Sequence, residues 1–558
     1  MWRSRRRGAG CPPAGGCAQP REVVPWIAGR GEHTAVILPL MSTHLERLAR
    51  FVAELRYEAI PEDARRAAKV QLADMIAAVF AAARAHEVDA IRDAMAAFAP
   101  EGRATVIATG ERFGPADAAL ANCAYSMAQD FDDIVWMGHT CHSSVFASLA
   151  VAEHEDKTAR DLVCAIVCAN EIGGRLGASS LLGPLNGQMW TFIHLACAAA
   201  ATSKLLGLDA ERTTHALGIA LAQPNFALQP GFLVPSSKLL AAATPAAAGI
   251  QAAYFARAGM TGYRGILEDP RGFWQRFSFM PLPSMLGELG QVWLTRSLAF
   301  KTYPGCHYFQ TAFSALDRIR ARAPFDATDV RAVRVETTQL AREATRFAAE
   351  YVDRAGLSPV AINFDLALSM AVLLHAGRLS PAELDPAWLA AHGDAVRAMA
   401  ARVEVAHDPE LSAKVVACVA QMKAGRDALR GIGVRDVIAL ARRYRAEYRS
   451  TLVTPGEAVR FARAARRALR DRERSRDDAA IVLPFPNRVT LELTNGRREV
   501  EQVDVPVGSF TLAGSNEELA KKFEEQASPR LGPRAQNALE VVLAAEDHAL
   551  ADLLAALR

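Results

Sequence analysis

The sequence predicts a mainly α protein, with a large all-helical domain followed by a smaller α+β domain. From about residue 42 to residue 298, apolar residues recur at three- and four-residue spacing in Ala-rich segments, which is typical of packed helices. After Lys301, helical patterns alternate with short β-like runs. The length of 558 residues exceeds that of one ordinary hydrophobic core, which also favours two domains.

Five segments of the predicted helical domain, residues 42–298, have the clearest helical periodicity. They are Ala64–Ala83, Asp161–Arg175, His194–Leu206, Thr213–Ala222 and Ala246–Ala258. Breaks rich in Pro, Gly and Asn separate some of them, as at Leu182–Gly187 and Gln223–Pro235. Their small side chains allow close helix packing, so we expect a compact bundle.

The α+β domain is predicted to comprise residues 299–409 and 479–508. Its expected elements are a helix at Thr311–Arg322, a strand at Val330–Thr337, a helix at Phe364–Leu374, a strand near Arg402–Ala406, and strands at Arg488–Leu493 and Glu499–Val505. The last two strands flank Thr494–Arg497, where Asn495-Gly496 is the best hairpin signal in the chain.

Three further segments complete the predicted organisation. Residues 410–478 form a helical, strongly basic insertion, interpreted either as a solvated helical hairpin or as a partner-binding arm. Residues 509–558 are expected to be helices that return to the helical domain. Residues 1–41 are Arg-rich and poor in acidic residues, and we expect a disordered extension, either transit-like or the product of a start codon assigned too early.

Composition narrows the class of protein. The 64 basic and 61 acidic residues nearly balance, which gives no support to a nucleic-acid or membrane-surface role. The nine cysteines include no C-x-x-C pair, so a reducing, cytoplasmic setting is the default expectation. No apolar run reaches the ~18 residues needed to span a bilayer, and we expect no membrane partner. Phosphate-cradling glycine loops are absent, so no nucleotide cofactor is expected.

The most informative segment runs from Asp130 to Ser144. Three carboxylates and two imidazoles fall within thirteen positions, between apolar helix-forming sequences. Burying such groups costs several kcal/mol each unless they are paired, so the cluster is a polar network, a site, or a solvated loop between two helices. Asp130 with Asp133, and His139 with His142, would each share a face if their segments were helical. Gly138 predicts a break between the pairs, with the histidines on a loop or at a new helix start.

Two metal-dependent interpretations of this segment are weak. Asp130-x-Asp-Asp133 has an aspartate-rich pattern suited to magnesium diphosphate, but the spacing is wrong and no second motif is present. His139 and His142 with a nearby Asp could ligate zinc or manganese, yet no third ligand is evident. We therefore predict no metal and no cofactor.

Several separated motifs together resemble the MmgE/PrpD family, which includes 2-methylcitrate dehydratases, cis-aconitate decarboxylases and an iminodisuccinate epimerase. The matching pieces are Leu48–Tyr57, Asp130–Asp133 with His142-Ser-Ser, Ala198–Asp209, Lys238 before Ala246–Ala253, Gly259–Gly262, Leu267–Phe273, Lys301–Cys306, Phe485-Pro-x-Arg-Val and Asn495–Arg497. The match covers roughly residues 45–408 and 484–558, and its specificity comes from the order in which the pieces recur.

The resemblance implies a helical domain with an α+β lid, a homodimer, and a small polycarboxylate as substrate. It places the catalytic positions of the family at Asp130, His142, Lys238 and Lys301. We further expect four residues to bind substrate, namely His139, Gln188, Cys306 and His307.

This chain departs from the family pattern at several positions. Gln188 stands where the family usually has a second histidine, and His194 lies nearly two turns further on at a position commonly Gly. Ile134 replaces a frequent Thr, Thr302 stands where the decarboxylases have Arg, and Leu340 falls near the place of their active-site tyrosine. These departures argue against cis-aconitate decarboxylase in particular.

The residue types suit removal of a proton next to a carboxylate. That step adds negative charge to an anion, which Lys238 and Lys301 can stabilise, while His142 can carry the proton and Asp130 can orient it or act as base. The leading hypothesis is a cofactor-independent lyase that dehydrates a 2-methylcitrate-like hydroxy-polycarboxylate. The alternatives are an epimerase or isomerase, a decarboxylase, and a family member that binds without catalysis.

Overall fold

The computed structural model describes residues 42–558 except for residues 86, 181–187, 226, 234–235, 356, 449–453 and 475–480. The extension predicted at residues 1–41 lies outside the described residues. Residues Thr43–Arg558 form one compact unit.

The first part of the chain is predominantly helical, as its periodicity predicts. Its helices are α1 (His44–Glu54), α2 (Glu62–Ala81), α3 (Glu87–Phe98), α4 (Pro115–Met127), α5 (Cys141–His154), α6 (Ala159–Ser179), α7 (Gln188–Leu205), α8 (Ala210–Ala222), α9 (Gln229–Leu233), α10 (Leu240–Arg257) and α11 (Phe273–Phe277). Local signals set two of the boundaries: Thr43 with Glu46, and Thr158 with Asp161, form reciprocal capping boxes before α1 and α6.

The core of this part explains its Ala-rich sequence. Helices α5, α6, α7 and α10 carry almost continuous runs of buried Ala, Val, Ile and Cys. At one close approach, a side chain at Gly249 of α10 would meet the Leu195 carbonyl oxygen of α7 at 2.5 Å. Only a glycine there allows the two helix backbones to lie so close.

Four short strands interrupt the helices. β1 (Glu101–Thr105) pairs antiparallel with β2 (Arg112–Phe113), so the first part is not purely helical. β3 (Asp133–Ile134) pairs antiparallel with β4 (Ala299–Phe300), in the register Asp133 to Phe300. This second pair joins the acidic segment to the chain just before Lys301.

The α+β part is built on a four-stranded sheet with its own apolar core. The strands are β5 (Val330–Thr337), β6 (Val403–His407), β7 (Asn487–Leu493) and β8 (Arg498–Val503), in the order β6-β5-β7-β8. β5 is parallel to β6 and antiparallel to β7, and β7 with β8 forms the predicted hairpin. The helices are α12 (Gln310–Arg322), α13 (Gln339–Ala355), α14 (Pro359–Phe364), α15 (Leu366–Ala376) and α16 (Pro386–Ala400).

The segment predicted as a basic insertion is helical where it is described. It contains α17 (Pro409–Val419), α18 (Lys423–Gly431), α19 (Val434–Tyr448) and α20 (Pro455–Arg474). Its first part is not a solvated arm, because Cys418, Met422, Ala424 and Ala428 are buried in the core of the helical part. In contrast, most of α19 is exposed.

The last helices are α21 (Ser515–Leu531), α22 (Ala535–Leu543) and α23 (Leu550–Ala556). Their apolar residues, including Phe523 and Leu553, belong to the same core as those of α2. The chain therefore returns to the helical part after the sheet.

Two described helical segments satisfy a length and composition test for a membrane span, Ala159–Ser179 and Ser236–Arg257. The sequence prediction that no segment is long and apolar enough was therefore too strict. The tested window of the first segment is 100% buried and that of the second is 61% buried. A core helix of a protein that does not span a membrane passes the same test, so this finding is weak evidence for a span.

Candidate active site

The acidic segment is a turn and a short strand between two helices. α4 ends at Met127, and Asp130 has a φ of 49°, a left-handed conformation that Asp tolerates better than most residues. Because the chain leaves the helix here, the condition under which Asp130 and Asp133 would share a helical face is not met. The expected break at Gly138 is present: Val135 and Gly138 form a β-bridge, His139 precedes α5, and His142 is the second residue of that helix.

Gly138 also allows the turn to pack tightly. A Cβ atom at this position would lie 2.9 Å from Ile193 Cδ1 of α7. The close approach brings the histidines of the turn against α7, where His194 follows Ile193.

Asp132 is the centre of the site. Its Oδ1 accepts a hydrogen bond from Lys301 Nζ at 2.5 Å, and its Oδ2 lies 2.6 Å from His139 Nδ1 and 3.4 Å from His142 Nε2. Burial alone would raise the pKa of this carboxyl, but Lys301, His139 and His142 outweigh it and hold the pKa well below its usual value. Asp132 is therefore a buried carboxylate that joins one ammonium group to two imidazoles.

Asp130 forms the second ion pair of the site. Its Oδ1 accepts a short hydrogen bond from Lys238 Nζ, and its Oδ2 accepts one from Asn363 Nδ2 at 3.1 Å. The Asp130 carbonyl oxygen also accepts a hydrogen bond from Lys301 Nζ at 2.9 Å. The contacts Lys238–Asp130–Lys301–Asp132–His142 are thus continuous.

Both lysines are buried, with 1% of Lys238 and 2% of Lys301 exposed. Lys238 Nζ lies over two aromatic rings, 5.4 Å from the centroid of Phe232 and 5.2 Å from that of Phe364. The two ammonium groups come from separate regions of the fold, one before α10 and the other directly after β4. Neither is a solvated surface lysine.

His142 is buried and its pKa is lowered, mainly because burial disfavours the charged imidazolium, with Asp132 opposing. Its Nδ1 lies 2.7 Å from the Ser126 hydroxyl, which also lies 2.9 Å from the Cys123 carbonyl oxygen. If that hydroxyl donates to the carbonyl, Nδ1 must donate to Ser126, and Nε2 carries the lone pair beside Asp132.

Two more histidines, His194 and His307, lie against the rings of His142 and His139. The ring of His194 is edge-on to that of His142, with centroids 5.7 Å apart, and its Nδ1 lies 2.9 Å from Ser143 Oγ. The ring of His307 is edge-on to that of His139 at 6.4 Å, and neither of its nitrogens has a hydrogen-bond partner among the described residues. Burial lowers the pKa of both His194 and His307 well below the usual value. Both are therefore neutral imidazoles near pH 7.

The two remaining predicted site residues are Cys306 and Gln188. Cys306 is buried, its backbone N–H donates to the Asn363 carbonyl oxygen at 2.8 Å, and burial raises the pKa of its thiol to about 12. Cys306 is thus not a thiolate near neutral pH. Gln188 is the first residue of α7, but its side chain lies outside the described residues, and its role stays a prediction.

One group of side chains has the spacing of a metal site. Ligand atoms of Asp132, Cys141 and His142 all lie within 4.8 Å of one another. A third ligand, Cys141, is therefore available, although the sequence did not indicate one. Two features disfavour a cation here: Lys301 Nζ already pairs with Asp132, and burial raises the pKa of the Cys141 thiol well above its usual value.

Two cavities are lined by sequence neighbours of the site residues. One of about 690 Å³ is lined by Gln129, Ser236 and Leu239, which are neighbours of Asp130 and Lys238 in the sequence, together with residues 357–360 of the α+β part. The other, of about 890 Å³, is lined by Phe131, Thr302 and Lys522. The 690 Å³ cavity is in the size range of small-ligand pockets, and the side chains of Asp130 and Lys238 are not among its lining residues.

Sequence reasoning missed three contributors to this site. Asp132 lies within the noted acidic cluster but was not singled out, although its place between Asp130 and Asp133 was a usable signal. Ser126 and Asn363 orient His142 and Asp130, and their positions in helical sequence gave no signal.

Comparison with known proteins agrees with the resemblance in sequence. Residues 46–283 match the MmgE/PrpD N-terminal domain, and residues 303–431 match the MmgE/PrpD C-terminal domain. The second match ends where α18 ends, so it includes α17 and α18 of the predicted insertion.

Curated relatives include cis-aconitate decarboxylases from fungi. The enzyme of Aspergillus terreus is 28% identical over 299 residues, which is 50% of this chain and 60% of the relative. A cis-aconitate decarboxylase-like protein, oryM, of Aspergillus oryzae is 29% identical over 295 residues, or 49% of this chain and 61% of the relative. The matched region thus spans about 60% of the length of these relatives. On the two domain matches, the chain belongs to the MmgE/PrpD family.

Proposed function

We propose that this protein is a lyase that dehydrates a small hydroxy-polycarboxylate of the 2-methylcitrate type, by removing a proton next to a carboxylate. The observation that carries the proposal is the chain of contacts from Lys301 through Asp132 to His142. It combines a buried cation, a buried anion and a neutral imidazole, which are the groups that this reaction needs. Membership of a family with decarboxylase relatives supports a small polycarboxylate as the substrate class.

His142 is the proposed base. Its lowered pKa keeps the imidazole neutral, and in the tautomer whose Nδ1 donates to Ser126, its Nε2 can accept the substrate proton. The imidazolium that forms lies beside the Asp132 carboxylate, which stabilises it and holds the ring in position. His139, on the same carboxylate oxygen, is the proposed donor of the proton that leaves with the hydroxyl group.

Lys238 and Lys301 are the proposed counter-charges for the substrate. Each ammonium is paired with an aspartate, so a substrate carboxylate that approaches Lys238 competes with Asp130 for it. Exchange of one carboxylate for another keeps the lysine paired and limits the cost of binding an anion in a buried site. The extra negative charge that develops after proton removal then lies near two cations with little water to screen it.

The test is a turnover assay with chelator-treated protein and a panel that includes 2-methylcitrate, citrate and cis-aconitate. We expect ultraviolet absorbance of a new alkene from a hydroxy acid, together with loss of one water and no release of carbon dioxide. A requirement for added metal would reject the mechanism, and inactivity with every hydroxy acid would reject the dehydratase.

A decarboxylase is the second candidate, because the named relatives are cis-aconitate decarboxylases. Decarboxylation of an unsaturated tricarboxylate also builds negative charge that the two lysines can stabilise, and it needs a proton in place of the lost carboxyl group. The same panel separates the two reactions, since only this one releases carbon dioxide from cis-aconitate. An epimerase, the further alternative, would introduce solvent deuterium at the carbon next to a carboxylate with no net elimination.

A further inference from the structure

Lys522, on the C-terminal helix α21, is a buried lysine behind the candidate site. Only 3% of the residue is exposed, and its Nζ has three hydrogen-bond acceptors. These are Asp74 Oδ1 at 2.6 Å, the Phe131 carbonyl oxygen at 2.6 Å and the Lys301 carbonyl oxygen at 3.0 Å. The ammonium also lies 3.9 Å from the centroid of the Phe131 ring. An ammonium has three donors, so all of them are used.

Two of these acceptors belong to the backbone of the site itself. Phe131 lies between Asp130 and Asp132, and Lys301 is the lysine that pairs with Asp132. The same two stretches are joined by the hydrogen bond from the Lys301 backbone N–H to the Asp132 carbonyl oxygen at 3.0 Å. Lys522 therefore crosslinks the two backbone stretches that carry the Asp130, Asp132 and Lys301 side chains.

The ion pair with Asp74 alone does not require this geometry. Asp74 is on α2, and its side chain is not one of the proposed catalytic or substrate-binding groups. A lysine paired only with Asp74 would leave the Phe131 and Lys301 carbonyl oxygens without this hydrogen bond. A buried charge with incomplete hydrogen bonds is costly, so the ammonium and the two carbonyls stabilise one another. In the sequence, Lys522 lies 391 residues from Phe131 and 221 residues from Lys301.

We propose that Lys522 is a positioning residue for the reaction: by holding the Phe131 and Lys301 carbonyl oxygens together, it sets the distance between Lys301 and the Asp132–His142 pair. This inference rests on the proposed function. It assigns a role in catalysis to the C-terminal helix, which lies outside both family-domain matches. Lys522 itself touches no proposed reacting group through its side chain.

The test compares Asp74→Asn with the double variant Asp74→Asn/Lys522→Met. Asp74→Asn keeps both carbonyl hydrogen bonds but leaves the ammonium without its carboxylate, which lowers the free energy of unfolding. The double variant loses the carbonyl hydrogen bonds and leaves no unpaired buried charge, so kcat is compared at a temperature at which both proteins are folded. For the double variant we expect kcat to fall roughly 10²-fold, the scale of a small misplacement of catalytic groups, with KM little changed. For Asp74→Asn we expect kcat near that of the wild type.

Equal kcat in the two variants would overturn the proposal, because Lys522 would then serve only the stability of the core. If Asp74→Asn does not fold, the double variant is compared with the wild type. If the double variant does not fold, Asp74→Asn/Lys522→Leu replaces it, since leucine also donates no hydrogen bond to the two carbonyl oxygens. A folded Asp74→Asn/Lys522→Leu protein with full kcat would overturn the proposal equally, and a loss of kcat at unchanged KM would support it. Wild-type protein without turnover on any polycarboxylate would refute the proposed function instead, so the two failures are distinguishable.

Discussion

Asp132 connects Lys301 to His142 through its two carboxylate oxygens, at 2.5 Å from Nζ and 3.4 Å from Nε2. The neighbouring Asp133 has the opposite character. Burial and the nearby Asp74 carboxylate raise its pKa well above the usual value, which favours the neutral acid. Two adjacent aspartates thus differ in their preference for the charged form, because Asp132 contacts an ammonium and two imidazoles directly.

This difference predicts unequal effects of the same substitution. Asp132→Asn should lower kcat by at least roughly 10²-fold, because His142 loses the carboxylate that stabilises its imidazolium. It should also lower the free energy of unfolding by about 3 kcal/mol, because Lys301 becomes an unpaired buried charge. Asp133→Asn places a neutral amide where the raised pKa favours the neutral acid, and it can keep the hydrogen bond from Gln71 Nε2, so kcat should stay within about tenfold. Steady-state kinetics give kcat and denaturant titration gives the free energy of unfolding of each variant. Equal losses of kcat in Asp132→Asn and Asp133→Asn would contradict the different roles assigned to the two aspartates.

A second prediction concerns the proposed base. His142→Gln should reduce kcat by roughly 10²–10⁴-fold, the usual contribution of general acid–base catalysis. His215→Gln is the matched control, because His215 is on α8 and its Nδ1 contacts the Gly262 backbone, which contributes no group to the cluster. The comparison is made at substrate saturation in parallel assays. A His142→Gln protein that keeps more than about a tenth of wild-type kcat would show that another group removes the proton.

A third prediction concerns the binding of anionic substrate. Lys238→Met should weaken the binding of a citrate-type ligand by about 1.5–3 kcal/mol, the range for a hydrogen bond to a charged group, or roughly 10–100-fold in Kd. Lys204→Met is the control, since Lys204 donates to the Ala53 carbonyl oxygen at 3.3 Å and to that of Leu55, away from the site. Isothermal titration calorimetry gives both values. Unchanged affinity in Lys238→Met would remove this lysine from the binding site.

The buried histidines predict a pH dependence of stability. The pKa of His307 is well below its unfolded value because burial disfavours the charged ring. Its contribution to stability is therefore present above about pH 6.5 and is lost as the pH falls towards the folded pKa. In His307→Phe, stability should fall less between about pH 7.5 and pH 5.5 than in the wild type. Denaturant midpoints at the two pH values test this, and an equal decrease in both proteins would contradict the neutral assignment of His307.

The fold was largely predictable from local patterns. The repeated apolar spacing before residue 298 and the Asn495-Gly496 turn correspond to the observed helices and to the β7–β8 hairpin. Three helices of the α+β part, α13, α14 and α16, were missed, although Asp385 and Pro386 supply a recognisable start for α16. The pair β1–β2 was also missed, since a strand of two residues leaves almost no periodic signal.

The candidate site was only partly predictable, because its geometry depends on contacts far apart in sequence. Family motifs indicated Asp130, His142, Lys238 and Lys301, but not that each lysine forms an ion pair with an aspartate. The left-handed conformation of Asp130 ends the helical geometry, so residue spacing alone could not predict how the side chains of this segment are arranged. Lys522, 448 residues from Asp74, gives no signal in the sequence at all.

The proposed removal of the substrate proton by His142 is tested most directly in deuterium oxide. Chelator-treated wild-type protein and His142→Gln are incubated with the substrate in deuterium oxide, and recovered substrate and product are analysed by nuclear magnetic resonance. In the wild type we expect alkene product, and any reversal of the first step should place deuterium on the carbon next to a carboxylate. In His142→Gln we expect neither alkene product nor deuterium at that carbon. Product formation at the wild-type rate in His142→Gln, or only after metal is added, would contradict the proposal.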